Sequence, residues 1–318
     1  MAVPRAVVFS AAIVMTFSTR AFAEAETPVE PGIDQLFETG KALFEQFVPD
    51  EIKEQYEFPS RQQWDEFAAR LQHAMESDNL SEMLAYENEA RGALLALRTF
   101  PGYEDYADWL QERIDYIEAA KQAAKTPTPP TPIPAKPNQP AAAVVNMPNF
   151  DLWMQRMRTR PKPEQAEKLM PILRTAFESE GVPAELAWMA EAESTLNPGA
   201  RSPSGAKGLF QFMPDTAKSL GLSTFLPDER TDPEKSAQAA AKYLRELYGK
   251  FGDWPLTLAA YNAGEGRVRK LLKQKNAETF AAIAGALPAE TRMYVPKVCA
   301  TIAVRAGTQP DKIPAPRA

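Results

Sequence analysis

Residues 126–140 read TPTPPTPIPAKPNQP, with seven prolines. Each proline lacks a backbone N–H and holds φ near about −65°, so neither a helix nor a strand ladder runs through such a stretch. It is a semi-rigid polyproline-II spacer, extending roughly 3 Å per residue. It divides the chain. The expected layout is an export signal over residues 1–23, an acidic helical domain over 24–125, the Pro-rich linker over 126–141 and a second domain over 142–310.

The export signal rests on the first 23 residues. Arg5 precedes the apolar run AVVFSAAIVMTF, and Ala21 and Ala23 supply the small residues of a cleavage site before Glu24. The run is too short to span a bilayer, and no cysteine follows it that could carry a lipid. The expectation is a soluble exported protein of the periplasm or cell envelope.

Charge divides at the linker. Residues 24–125 hold 9 Lys/Arg against 23 Asp/Glu, a net of −14; residues 126–318 hold 25 against 19, a net of +6. The basic half is expected to favour an anionic partner, though six charges spread over so many residues also serve plain solubility. The acidic half carries no motif that assigns it a function, and a protein partner is the expectation for it. Nothing in the sequence points to nucleic acid.

Two residue types exclude chemistry by their scarcity. The single cysteine, Cys299, lies in the apolar run KVCATIAV and reads as a buried small hydrophobe with no disulfide to make. The single histidine, His73, lies before the linker. The second domain therefore has no Ser-His or Cys-His nucleophile pair and no zinc site of the usual His/Cys type. Its chemistry must rest on carboxylates, lysines or tyrosines, with no metal or cofactor.

Both halves show helical periodicity and no two-residue strand alternation. Upstream, Phe67, Ala68 and Leu71 recur at helical spacing, and YEDYADWLQERIDYIEAAKQAAK continues the pattern. Downstream, Asp232 and Pro233 open a helix that Gly249 or Gly252 ends, and WPLTLAAYNAG is a second, ended by Gly264. Two more follow in EGRVRKLLKQ and TRMYVPKVCATIAVRAG.

The stretch PAELAWMAEAES reads as a helix opening at Pro183 and carries two glutamates. At about 100° per residue, Glu193 falls with Leu186, Met189 and Ala190 on the apolar face, whereas Glu191 falls away from it and is expected in solvent. A carboxyl on an apolar face at a helix C-terminus is disfavoured as an anion, by desolvation and by the helix dipole. A glutamic acid kept protonated near neutral pH can give its proton to a leaving group. A glutamate that merely hydrogen-bonds the following loop fits the same spacing. That loop, NPGARSPSGAKGLFQFMP, offers glycines for close backbone approach, Ser202 and Gln211 as hydrogen-bonding groups, and Met213 for apolar contact. Asp215 precedes a helix and is expected to cap it.

Four ordered motifs resemble the family 1 lytic transglycosylases, closest to their membrane-bound D-like members. They are Glu193–Ser194 with Asn197, Pro198 and Ser202; GLFQFMPDT from Gly208 to Thr216; AYNAG from Ala260 to Gly264; and ETRMYV from Glu290 to Val295, extended by Pro296 and Lys297. The resemblance covers about 120 residues and none of residues 24–140. It implies an all-α, lysozyme-like catalytic domain, here preceded by a separate acidic helical domain. It implies Glu193 as the single catalytic acid and then base, with Ser202, Gln211, Met213, Tyr261, Asn262 and Tyr294 lining a glycan cleft. The implied substrate is peptidoglycan, cut at the β-1,4 bond between N-acetylmuramic acid and N-acetylglucosamine, with a 1,6-anhydromuramoyl end as product. One carboxyl suffices for such a reaction because the sugar's own 6-hydroxyl replaces water, whereas hydrolysing enzymes usually use two. A goose-type lysozyme-like hydrolase and a non-catalytic peptidoglycan-binding scaffold are the competing readings. The basic stretch Arg267–Lys275 reads as a solvated helix face, with contact to peptidoglycan carboxylates as the alternative.

Overall fold

The computed structural model describes residues 6–7, 45, 56–57, 61–99, 104–125 and 147–317. The Pro-rich segment lies outside these residues, and so does the export signal apart from Ala6 and Val7. Those two pair in parallel with Tyr56–Glu57, which makes a two-residue ladder. All other regular structure among the described residues is helical.

The upstream helices are α1 (Arg61–Glu76), α2 (Leu80–Leu84), α3 (Glu87–Thr99) and α4 (Glu104–Lys125). Beyond the linker come α5 (Phe150–Thr159), α6 (Ala166–Ser179), a 3-10 turn (Ala184–Trp188) that leads into α7 (Met189–Ser194), and α8 (Pro214–Ser219). The chain closes with α9 (Pro233–Phe251), α10 (Trp254–Ala263), α11 (Glu265–Lys275), α12 (Phe280–Ile283) and α13 (Ala289–Ala306).

Local chemistry accounts for several ends. The Asp232 side chain accepts from the Lys235 N–H, Pro233 takes the first helical position, and Gly252 closes α9 in the left-handed region at φ 66°. Asp253 caps α10 in the same way through the Leu256 N–H, and Gly264 ends it at φ 87°.

α13 is the axis of the molecule. It packs against α5, α7 and α10 on the downstream side and against α1 and α4 on the upstream side. Met293, Tyr294, Val295, Val298, Cys299 and Ile302 are all buried on it, so it is covered on every side rather than along one stripe. Cys299 is a free, buried thiol.

The acidic helices, expected as a separate domain, share one hydrophobic core with the rest. Phe67, Leu71, Leu110, Ile114 and Ile117 belong to the same buried cluster as Trp153, Leu186 and Val298. Charge explains the junction. Arg156 bonds Glu118 at 2.8 Å, Arg160 bonds Asp115 at 2.8 Å and Glu112 at 2.7 Å, and Arg113 bonds Glu290 at 3.1 Å. Part of the anionic partner expected for the basic half is thus the chain's own α4.

Candidate active site

Glu193 sits in the last turn of α7, the short helix that grows out of the 3-10 turn. The continuous helix expected from Pro183 is therefore two elements, with the tighter turn ending at Trp188. The face assignment changes accordingly. Glu191, expected in solvent, is 1% exposed. Its carboxylate is gripped by Arg305 of α13, with Nε at 2.9 Å and Nη2 at 2.7 Å. A bidentate arginine makes it a structural anion. Among the described residues Glu193 has no such partner. Its Oε1 accepts a 2.6 Å hydrogen bond from the Tyr294 hydroxyl. Burial raises its pKa from the ordinary 4.5 to about 7, opposed by the Tyr294 hydrogen bond and by the Arg113 charge, and assisted by Glu290. A half-buried carboxyl of this kind holds a proton near neutrality and can still reach solvent.

Three residues of α13 organise the site. Glu290 pairs with Arg113 of α4, the Thr291 hydroxyl donates to Asn262 Oδ1 at 2.7 Å, and Tyr294 bonds Glu193. The start of α13 is pinned from upstream as well, because the Ala289 N–H donates to the Ser77 carbonyl at 2.7 Å. On α10, the Tyr261 hydroxyl donates to the Phe210 carbonyl at 2.8 Å, and its ring lies against Phe212 and Tyr243. Tyr261 lies close enough to Glu193 for that charge to raise its own pKa, after the larger effect of burial.

The loop from Asn197 to Met213 is stiffened by its own polar groups. Ser194 Oγ donates to the carbonyls of Ala190 and Leu209, which ties the end of α7 to the loop. Ser202 Oγ meets Ser204 Oγ at 2.9 Å and accepts from the Ala206 N–H. Gln211 stands in the left-handed region at φ 47°, and its Nε2 donates to the carbonyls of Gly208 and Ala200. Behind them, Arg230 Nη1 donates to the carbonyls of Gly205 and Phe212, and Asp228 holds its other nitrogens. Gly208 is obligatory: at φ 83°, a Cβ would come within 1.9 Å of the Arg230 carbonyl oxygen.

Of the candidate residues, Glu193, Tyr261 and Tyr294 thus come together, and Asn262 joins them through Thr291. Ser202 and Gln211 make their hydrogen bonds within the loop, and Met213 stands 42% exposed at the start of α8. Asp215 is not a cap. It lies inside the first turn of α8 with its side chain fully exposed, 3.7 Å from Lys218. Motif reading passed over Glu290 and Thr291 although both lie in ETRMYV. It also passed over Arg113 and Glu112 of α4, which carry no local signal. Glu112 Oε1 accepts from Thr195 Oγ1 at 3.0 Å and from Arg160, and its Oε2 meets the buried Lys297 ammonium of α13. Asn197 Nδ2 donates to Asp105 at 2.9 Å and its Oδ1 accepts from the Gly199 N–H. The turn that leaves Glu193 is therefore held from α4.

The Transglycosylase SLT domain model matches residues 170–283. The chain is 38% identical over 140 residues to membrane-bound lytic murein transglycosylase D of Escherichia coli (strain K12), covering 43% of this chain and 31% of that protein. It is 39% identical over 120 residues to soluble lytic murein transglycosylase of Salmonella typhimurium (strain LT2), covering 35% and 19%. These alignments thus span less than a third of either relative. The crystal structure of the 70 kDa soluble lytic transglycosylase from Escherichia coli superposes with a TM-score of 0.38 at 21% identity, over 90% of this chain and 59% of that one.

Proposed function

We propose that this chain is an exported lytic transglycosylase of peptidoglycan, with a lysozyme-like catalytic domain and Glu193 as its single acid–base group. The observation that carries the reading is one partly accessible carboxyl whose pKa burial lifts to about 7, with a phenol as its only hydrogen-bond partner among the described residues. Protonated, Glu193 gives its proton to the oxygen leaving the β-1,4 bond between N-acetylmuramic acid and N-acetylglucosamine. As the carboxylate it then takes the proton of the muramoyl 6-hydroxyl, which closes the 1,6-anhydro ring without water. The Tyr294 hydroxyl supports the anionic form through a charge-assisted hydrogen bond.

The neighbouring acids favour one carboxyl over two. Glu191 is bound by Arg305, Asp215 is fully exposed beside Lys218, and Glu290 is paired with Arg113. Ser202, Gln211, Met213, Tyr261 and Asn262 are the candidates to contact the glycan. The descriptions of the relatives as murein transglycosylases agree with this substrate. The apolar N-terminal run favours export, and no helix among the described residues is long and apolar enough to cross a membrane.

Digestion of purified peptidoglycan by the wild type and by Glu193→Gln, read by mass spectrometry of the muropeptides, tests the reading. Anhydro ends from the wild type and none from the variant are expected. Reducing ends, heavier by one water, would make the protein a hydrolase and move Glu290 into the role of second carboxylate. No release by either protein, with binding retained, would make it a scaffold.

A further inference from the structure

Helix α4 lies outside the segment that matches the SLT model, yet two consecutive residues of it engage the site. Glu112 holds Thr195, two residues after Glu193, and Arg113 holds Glu290. Side chains of consecutive helical residues diverge by about 100°, so the two contacts together fix the rotation of α4 against the site. The Arg113–Glu290 pair is not a surface tie. The two side chains are only 14% and 13% exposed, and the guanidinium lies over the Trp109 ring, 4.9 Å from its centre. Glu290 precedes Tyr294 by one helical turn, about 6 Å along α13, and Tyr294 touches Glu193. The groups that face Glu193 are Tyr294 and Glu290 from α13, Arg113 and Tyr116 from α4, and Tyr261 from α10. Arg113 is the only cation among them, and it favours the ionised carboxylate, whereas Glu290 disfavours it.

We propose that Arg113 is a positioning residue of this active site, an arginine supplied by the upstream helix that fixes Glu290 and, with it, sets the proton affinity of Glu193. The proposal rests on reading Glu193 as the acid. The acidic helices then contribute to catalysis itself, whatever else they bind.

The test is a ¹³C-carboxyl NMR titration of Glu193 in the full chain, assigned by loss of its signal in Glu193→Gln, together with the pH profile of muropeptide release. Arg113→Met removes a positive charge and leaves Glu290 bare, so the Glu193 midpoint should rise by about half a pH unit to one unit. Glu290→Gln removes a negative charge and leaves Arg113 bare, so the midpoint should fall by a similar amount. The double variant should return near the wild type, and the basic limb of the activity profile should follow each midpoint. Glu290→Gln keeps Arg113 in place and stands as the test if Arg113→Met does not fold. Shifts of the same sign in both single variants, or no shift in either, would overturn the proposal and leave the pair as a packing contact. The titration needs no turnover, so a chain that releases no muropeptide would sink the functional reading while still reporting on Arg113.

Discussion

Removing the Glu193 carboxyl should stabilise the protein, and only above the pH at which that carboxyl ordinarily ionises. In the unfolded chain, Glu193 loses its proton near 4.5; in the folded chain it keeps it to about 7. Between those values the folded state binds more protons than the unfolded state, so stability falls as pH rises. At ~1.4 kcal/mol per pH unit, the interval amounts to a ceiling of about 3.5 kcal/mol, fully expressed above pH 7 and absent below 4.5. Glu193→Gln removes this penalty and preserves the geometry, since the amide carbonyl can accept the Tyr294 hydroxyl in place of Oε1. Thermal denaturation of both proteins at pH 4.5 and pH 8.5 measures the difference. The two should melt together at the lower pH, and the variant should melt on the order of 5–10 °C higher at the upper one. A gap that is the same at both pH values would mean that burial does not hold the proton on Glu193. A variant less stable than the wild type at pH 8.5 would refute the reasoning outright.

Gly208→Ala should cost roughly 2–4 kcal/mol and abolish activity, because the added Cβ meets the Arg230 carbonyl and the backbone stands at positive φ; a urea-denaturation loss below about 1 kcal/mol would show that the loop gives way. Lys297→Met should cost roughly 3–5 kcal/mol by stripping Glu112 of a buried counter-charge, and Glu112→Gln combined with Lys297→Met should recover part of that loss. A double-mutant cycle with a coupling below about 0.5 kcal/mol would show that the two charges do not depend on each other.

Much of the helical framework is legible in the sequence because its signals are local. Asp232 and Pro233 start α9, Gly252 ends it, and Gly264 ends α10, each through hydrogen bonds or dihedrals within a few residues. The pattern upstream of the linker is less complete. The chain breaks between α2 and α3, where no proline or glycine marks the place. The 3-10 turn before α7 is equally silent, and with it goes the face assignment that put Glu191 in solvent.

Local sequence thus determined that the chain is helical and that Glu193, rather than Glu191, is the carboxyl of interest. Only tertiary structure shows what holds each of the two glutamates. Glu191 is gripped by Arg305, 114 residues away, while Glu193 accepts from the phenol of Tyr294, 101 residues away. Arg113 reaches Glu290 across 177 residues. A carboxyl's proton affinity depends on what burial removes and which charges packing brings near, and neither follows from the neighbours along the chain. For the same reason the acidic helices look like a domain apart when their charge is summed, and become part of the site once α4 packs against α13.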